Sequence, residues 1–339
     1  MNILVTGGTG QVGSATVDTL LAQGHNVRVV SRHPTDVDNG AEYLVCDTSD
    51  YDGVRRAMEG MDAAAHIAAI PRPSAADNQR ELILSNSSGS LNIYAAAGDA
   101  GVKRVVSASS INALGALFST TDVPLCYLPV DEEHPSRPSD PYAFSKNVME
   151  SLGDYFWLRD GISSATLRIP WVFNRNEGSG NFQRKMSAET DEMVSRMLAK
   201  PEAEHREWMR NAMAEWNAWR GARKFESEDT WGQTWSDESP FSPEVKLALN
   251  GRYNLWAFID VLDLADAFAR ALTADYSGAH TVYVNHDRTW SSHPSRTLAK
   301  LFHFDVPEIR GSLEGNDSLV STAKAKDLFG FRAPHSYLN

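Results

Sequence analysis

Cysteine is nearly missing from this chain of 339 residues: only Cys46 and Cys126 are present, far apart. Neither a disulfide framework nor a metal-ligand spacing can be built from them, so both read as buried or incidental thiols. There is no H-E-x-x-H string and no Cys/His cluster, and no metal site is expected. Concentrated positive charge is missing as well. With 32 Lys and Arg against 44 Asp and Glu the formal net charge is −12, and no basic run offers a footprint for a phosphate backbone, which excludes a general nucleic-acid binder. No stretch approaches the roughly 18 apolar residues of a membrane span. The opening residues lack the basic and apolar regions of a secretory leader. These absences predict a soluble, cytoplasmic protein without membrane or nucleic-acid partners.

What is present is an alternation. NILVTG (2–7), NVRVVS (26–31), AAAHIAA (63–69) and KRVVSAS (103–109) are short apolar runs, each followed by a segment of helical character. Strands alternating with helices of about 10–15 residues build right-handed crossovers and a parallel sheet. The expected fold is therefore α/β, a doubly wound parallel sheet. ATLRIPWVF (165–173) reads as a further buried strand, and HTVYVN (280–285) as one that joins the sheet after a long excursion. Residues 1–173, with returning segments at about 251–285, form the expected nucleotide-binding domain. Residues 174–250 and 286–339 form a smaller, mostly helical substrate lobe. Within it Trp208, Ala212, Trp216 and Trp219 recur at helical spacing, either to pack onto the sheet domain or to wall the substrate pocket. Trp231 and Trp235 add to this aromatic-rich stretch. Residues 258–272 predict a helix that starts after their second aspartate, Asp263, and a closing helix near the end is capped by Gly330.

Gly7, Gly10 and Gly13 stand directly after the first apolar strand and open the first helix. A turn that presents backbone N–H groups to a pyrophosphate has no room for side chains, and the helix dipole then favours the anion. Thr9, Gln11 and Val12, between the glycines, join the candidate cofactor contacts. At the end of the second strand, Ser31 and Arg32 occupy the place where an NAD-selective site carries a carboxylate for the ribose 2′-hydroxyl. An arginine fork suits a 2′-phosphate. NADP is expected, with NAD the alternative.

Tyr142 and Lys146 are separated by four residues in a helical segment that follows Asp140 and Pro141, so phenol and ammonium share a face. A neighbouring cation favours the phenolate, which predicts a lowered tyrosine pKa. The strand KRVVSASS ends in Ser109 and Ser110 at the carboxyl edge of the sheet, where ligands bind in open α/β folds. Ser110 is the expected partner for a reacting hydroxyl or carbonyl, and Ser109 competes for the role. The candidate catalytic set is Ser110, Tyr142 and Lys146, the last two also touching the cofactor.

TGGTGQVG (6–13), Asp47, HIAA (66–69), NSSGS (86–90), VVSASSINALG (105–115), YAFSK (142–146) and LRIPWVF (167–173) together resemble the extended short-chain dehydrogenase/reductase family, with its nucleoside-diphosphate-sugar epimerases and related dehydrogenases. The resemblance covers nearly the whole chain, strongly to Phe173 and again from Phe258. It implies a Rossmann-type fold, Asp47 and Thr48 beside the adenine, Ala68 and Ala69 on the ribose side, and Pro170 against the cofactor. It also places Asn86 in a helix behind the active site and implies a homodimer through the helices containing Asn86 and Tyr142.

Departures narrow the reaction. Sugar dehydratases of the family carry Thr-Asp-Glu where Ser110-Ile111-Asn112 stands here, so elimination of water is not expected. Epimerases follow their Leu-Arg strand with an asparagine that seats the nucleotide sugar, whereas Leu167-Arg168 leads here to Ile169-Pro170-Trp171. The expected activity is NAD(P)-dependent interconversion of a hydroxyl and a carbonyl on a small polar substrate, a sugar or sugar derivative. A nucleotide-sugar epimerase with retained NAD is the alternative.

Overall fold

The structure, a computed structural model, describes residues 1–73, 78–222 and 239–335. Strands β1 (Asn2–Thr6), β2 (Asn26–Ser31), β3 (Glu42–Val45), β4 (Ala63–His66), β5 (Arg104–Ser110) and β6 (Ser163–Ile169) follow in chain order. The short β7 (Trp171–Phe173) and β8 (Phe258–Asp260) pair with each other, and β9 (Ala279–Tyr283) returns to the main sheet. That sheet runs β3-β2-β1-β4-β5-β6-β9, with every neighbour parallel. Because β4 lies on the other side of β1 from β2, the winding reverses there, and a crevice opens beyond the carboxyl ends of β1 and β4.

Continuous apolar strands are required because helices cover both faces. Ile3 and Val5 of β1 point to one side, where they meet Val17 and Leu20 of α1 (Gln11–Ala22). Leu4 points to the other and meets Val54 of α2 (Tyr51–Met58), Ile93 of α3 (Gln79–Ala100) and Phe156 of α4 (Pro141–Asp160). The lobe holds α5 (Gly178–Leu198), α6 (Glu202–Gly221), α7 (Pro243–Tyr253) and α9 (Ser295–Phe302). Helix α8 (Val261–Thr273) lies beside α1, and α10 (Ala323–Phe329) against β9. The closing segment, placed with the lobe by sequence, thus packs with the sheet: Ala325, Phe329 and Phe331 join Val282 in one core.

One further expectation is corrected. Helix α8 begins at Val261, after Asp260, whose carboxylate accepts from the Leu262 N–H at 2.9 Å. Asp263 lies inside the helix, buried, with its carboxylate on the His335 ring at 2.6 Å, and so is not the cap. The tryptophan stripe of α6 is a packing face, in a core that also takes in Leu114, Phe118 and Tyr142 of the first 173 residues. Trp216 is buried against Trp219, Phe241 and Tyr253, with ring centroids 5.3, 5.7 and 6.0 Å away. Trp231 and Trp235 lie outside the described residues. Gly330, at φ 66°, closes α10 as expected. Among the described residues, no helix is long and apolar enough to cross a membrane, and no group of three or more His, Cys, Asp or Glu is placed to hold a metal.

Candidate active site

The glycine turn works by close approach. Gly7 adopts φ +71°, and a Cβ there would stand 2.8 Å from the Ala68 nitrogen. A Cβ on Gly13 would stand 2.0 Å from the Gly7 carbonyl oxygen, so the first turn of α1 lies directly against the loop. The space beyond is a cavity of about 680 Å³, lined by Gly7, Thr9, Gly10, Gln11, Val12 and Gly13, then Arg32, Asp47, Thr48, Ala68 and Ala69. Eleven of the expected cofactor residues therefore share one crevice. Its length, its glycine cradle and its helix N-terminus fit a dinucleotide, with the pyrophosphate at α1.

The same cavity is lined by Ser31, read with Arg32 at the end of β2, by Ile67 of the HIAA motif, and by residues that the motif reading missed: His33, Cys46, Ile70, Pro71, Arg72 and Ser85. Their wall is held from behind. Thr6 Oγ1 accepts from the N–H groups of Ile67 and Ala68, both at 3.1 Å, and lies 2.9 Å from His66 Nδ1. Burial keeps His66 neutral, its pKa pulled down to about 3. Asn86 accepts from the Ile70 N–H at 2.7 Å and donates to the Ile70 carbonyl and to Ser145 Oγ, both at 3.1 Å. Helix α3 is thereby tied to the cofactor wall and to α4. A hydroxyl closing the first strand was the one available signal for Thr6.

Helix α4 starts where the chemistry needs it. The Asp140 carboxylate accepts from the Ala143 N–H at 2.8 Å and Pro141 occupies the first turn, a strong start signal. Tyr142 and Lys146 consequently project from the first two turns toward the end of β5. Both are buried. Lys146 Nζ donates to the Ala108 carbonyl at 2.7 Å and lies 5.6 Å from the centre of the Tyr142 ring. The Ser110 hydroxyl accepts from the Asn112 N–H at 3.1 Å and lies near enough to the Tyr142 phenol to favour its ionised form.

Alternation along β5 decides between the two serines. Ser109 turns the other way and donates to Glu150 at 2.8 Å, and Glu150 is in turn held by the Arg168 guanidinium through two bonds of 2.8 and 2.9 Å. Ser109 is thus part of a buried brace under α4. Ser110→Ala should lower kcat/KM about 100-fold, the loss of one donor at a reacting oxygen. Ser109→Ala should leave kcat/KM nearly unchanged and cost about 1.5 kcal/mol of stability, because a hydrogen bond to a charged group is lost. Steady-state kinetics and denaturant titration of both variants check the pair.

The phenol departs from expectation. Burial pushes Tyr142 up to about 12, with the Ser110 hydroxyl opposing and the Asp140 charge reinforcing it. Burial also pulls Lys146 down to about 8, against the attraction of Glu150. The lysine faces a carbonyl 2.7 Å away and stands well back from the ring, so in the bare protein desolvation outweighs its pull on the phenol. Pro170 is the one expected cofactor residue outside both groups. It follows Ile169, the register partner of Ser110, and does not line the crevice.

A doubly wound sheet with a dinucleotide crevice at its switch point and a Ser/Tyr/Lys group one strand away defines a class, the Rossmann-fold enzymes that work with a nicotinamide dinucleotide. Within that class, the sequence profile of the NAD dependent epimerase/dehydratase family matches residues 3–225, and the chain belongs to that family. It is 35% identical over 182 residues to an L-arabinose 1-dehydrogenase (NAD(P)(+)) of Haloferax volcanii, covering 52% of this chain and 68% of that protein. A uronate dehydrogenase of Pseudomonas syringae pv. tomato is 32% identical over 171 residues, 49% of this chain and 58% of that protein. Two solved structures share the fold. The UDP-glucose 4-epimerase of Thermotoga maritima superposes with a TM-score of 0.61 at 20% identity, covering 99% of this chain and 94% of that one. The glucuronic acid dehydrogenase of Chromohalobacter salexigens superposes at 0.58 and 18% identity, covering 99% and 85%.

Proposed function

We propose that the protein oxidises a hydroxyl of a free sugar or sugar acid to a carbonyl, with NADP as the preferred acceptor. The observation that carries this reading is the convergence of Ser110, at the carboxyl end of β5, with Tyr142 and Lys146 of α4, one strand from the glycine crevice. A nicotinamide dinucleotide, when bound, supplies the hydride acceptor. Gly7 to Gly13 would hold its pyrophosphate, Asp47 and Thr48 its adenine, and Ala68 and Ala69 its ribose side. Ser110 holds the substrate oxygen and Tyr142 takes its proton. Lys146, charged below about pH 8, stabilises the phenolate as proton transfer proceeds. The sugar dehydrogenases among the relatives support a sugar substrate. A homodimer through α3 and α4 agrees with the exposed Leu84, Leu91, Phe144, Tyr155, Trp157 and Leu158 on those helices.

The preference for NADP rests on Arg32 and the lack of a carboxylate at the end of β2. Ser31 turns back on itself, its hydroxyl donating to the His33 carbonyl at 2.9 Å, while Arg32 and His33 line the crevice. Arg32→Ala should raise the Kd for NADP about tenfold and leave that for NAD unchanged, as expected for loss of one charge-assisted contact to a phosphate. Equal effects on the two cofactors would remove the preference.

The test of the whole reading is a panel of free sugars, sugar acids and nucleotide sugars offered with NADP or NAD. Stoichiometric growth of the reduced-cofactor absorbance is the expected result. Conversion of a nucleotide sugar with no net change in that absorbance would instead establish the epimerase, the activity named for relatives 31% identical over 175 and 181 residues.

A further inference from the structure

Trp171 is the first residue of β7 and stands two residues beyond Ile169, which pairs in register with Ser110. The indole is therefore carried just past the sheet end at which the serine hydroxyl sits. One of its faces is covered. Trp290 stacks on it with centroids 5.7 Å apart and planes inclined by 16°. Trp290 is itself fixed: it is 1% exposed, Trp256 packs against it edge-on at 5.4 Å, and its carbonyl accepts from Ser187 Oγ at 2.6 Å. Trp256 is fully buried, and a Cβ on Gly251 would stand 2.1 Å from its ring. Phe173 then meets Trp171 at 5.9 Å in an edge arrangement. A rigid aromatic stack thus holds the Trp171 ring flat, yet the residue stays only half-buried while the layers behind it are sealed.

An apolar plane held partly open, two residues past the register partner of Ser110, has the makings of a sugar-binding surface. A pyranose with equatorial hydroxyls presents each ring face as a disk of axial C–H groups, and its hydroxyls radiate from the rim. Such a disk covers an indole face, whose negative quadrupole attracts the weakly positive hydrogens, while the rim stays available for hydrogen bonds. The geometry points to Trp171 as the platform on which the apolar face of a pyranose lies while a rim hydroxyl reaches Ser110 and Tyr142. This inference rests on the sugar oxidation proposed above and adds the ring form and the residue that selects it. Trp171 is a specificity-determining residue here, with no part in proton transfer.

The experiment compares the wild-type protein with Trp171→Ala and Trp171→Phe on the sugar that the panel identifies, measuring KM, kcat and, separately, cofactor Kd by fluorescence titration. Trp171→Ala should raise KM about tenfold, the scale of a lost aromatic contact, and leave kcat and cofactor Kd within about threefold. Trp171→Phe, which keeps a ring, should recover most of the loss. Should the alanine variant not fold, Trp171→Leu keeps the bulk without the ring and should show the same rise in KM. An unchanged KM in a folded, cofactor-binding variant lacking the ring would overturn the platform and leave sugar oxidation standing. A wild-type protein that binds cofactor but turns over no cyclic sugar would defeat both.

Discussion

Tyr142→Phe will lower turnover by about 1000-fold while the protein continues to bind cofactor with close to wild-type affinity. The magnitude is the usual worth of a positioned acid or base. The selectivity follows from what the hydroxyl does and does not touch. The ring packs at 5.8 Å against Phe118 in an edge arrangement and is buried, contacts that phenylalanine preserves. Its hydroxyl faces Ser110, at the end of β5, whereas the glycine crevice is built from β1, β2 and β4. Single-turnover kinetics with a saturating sugar, beside a cofactor titration, separate the two properties. Loss of cofactor affinity equal to the loss of rate would mean that Tyr142 is chiefly a wall of the dinucleotide site. Retained turnover would remove it from the chemistry altogether.

Gly13→Ala should do the reverse, removing the cofactor without touching the proton-transfer group. The added methyl carbon would lie 2.0 Å from the Gly7 oxygen, 2.6 Å from the Gly7 carbonyl carbon and 2.8 Å from the Gly8 α-carbon. Backbone, not a movable side chain, fills that space, so α1 must move away from the turn. Overpacking of this kind costs about 1–3 kcal/mol, and the same displacement withdraws the N–H groups that face a pyrophosphate. A cofactor Kd at least about tenfold weaker is expected, with a lowered Tm. Gly178→Ala, at the start of α5 and outside the crevice, is the control, since nothing lies within 4 Å of its added carbon. A Gly13→Ala protein of unchanged affinity would show that the close packing of α1 on the turn is unnecessary for binding.

The sheet was legible early because parallel strands covered on both faces are built round short apolar runs, and NILVT, NVRVVS and RVVSASS each carry one. Asp140 with Pro141 marked the start of α4 for an equally local reason, a carboxylate that satisfies the first free N–H groups. The boundary of α8 was misplaced because Asp260 and Asp263 offer the same chemistry. They differ in partner: Asp260 accepts from the Leu262 N–H, whereas Asp263 is turned to His335, 72 positions away. Ile70, Pro71 and Arg72 escaped notice because a loop beyond the strand end carries no compositional mark of the crevice it lines.

Local sequence by itself determined the strand–turn–helix that opens the chain and the four-residue spacing that puts Tyr142 and Lys146 on one face, because both depend on neighbours within a turn or two. Tertiary structure decided the rest. Ser110 was separated from Ser109 by the alternation of β5 against the Glu150–Arg168 pair, and Tyr142 was raised rather than lowered because burial is a property of the whole fold. Trp171 met Trp290 across 119 positions of sequence, a stack that no local pattern encodes, since two rings come together only when β7 and the segment before α9 have been carried to the same place.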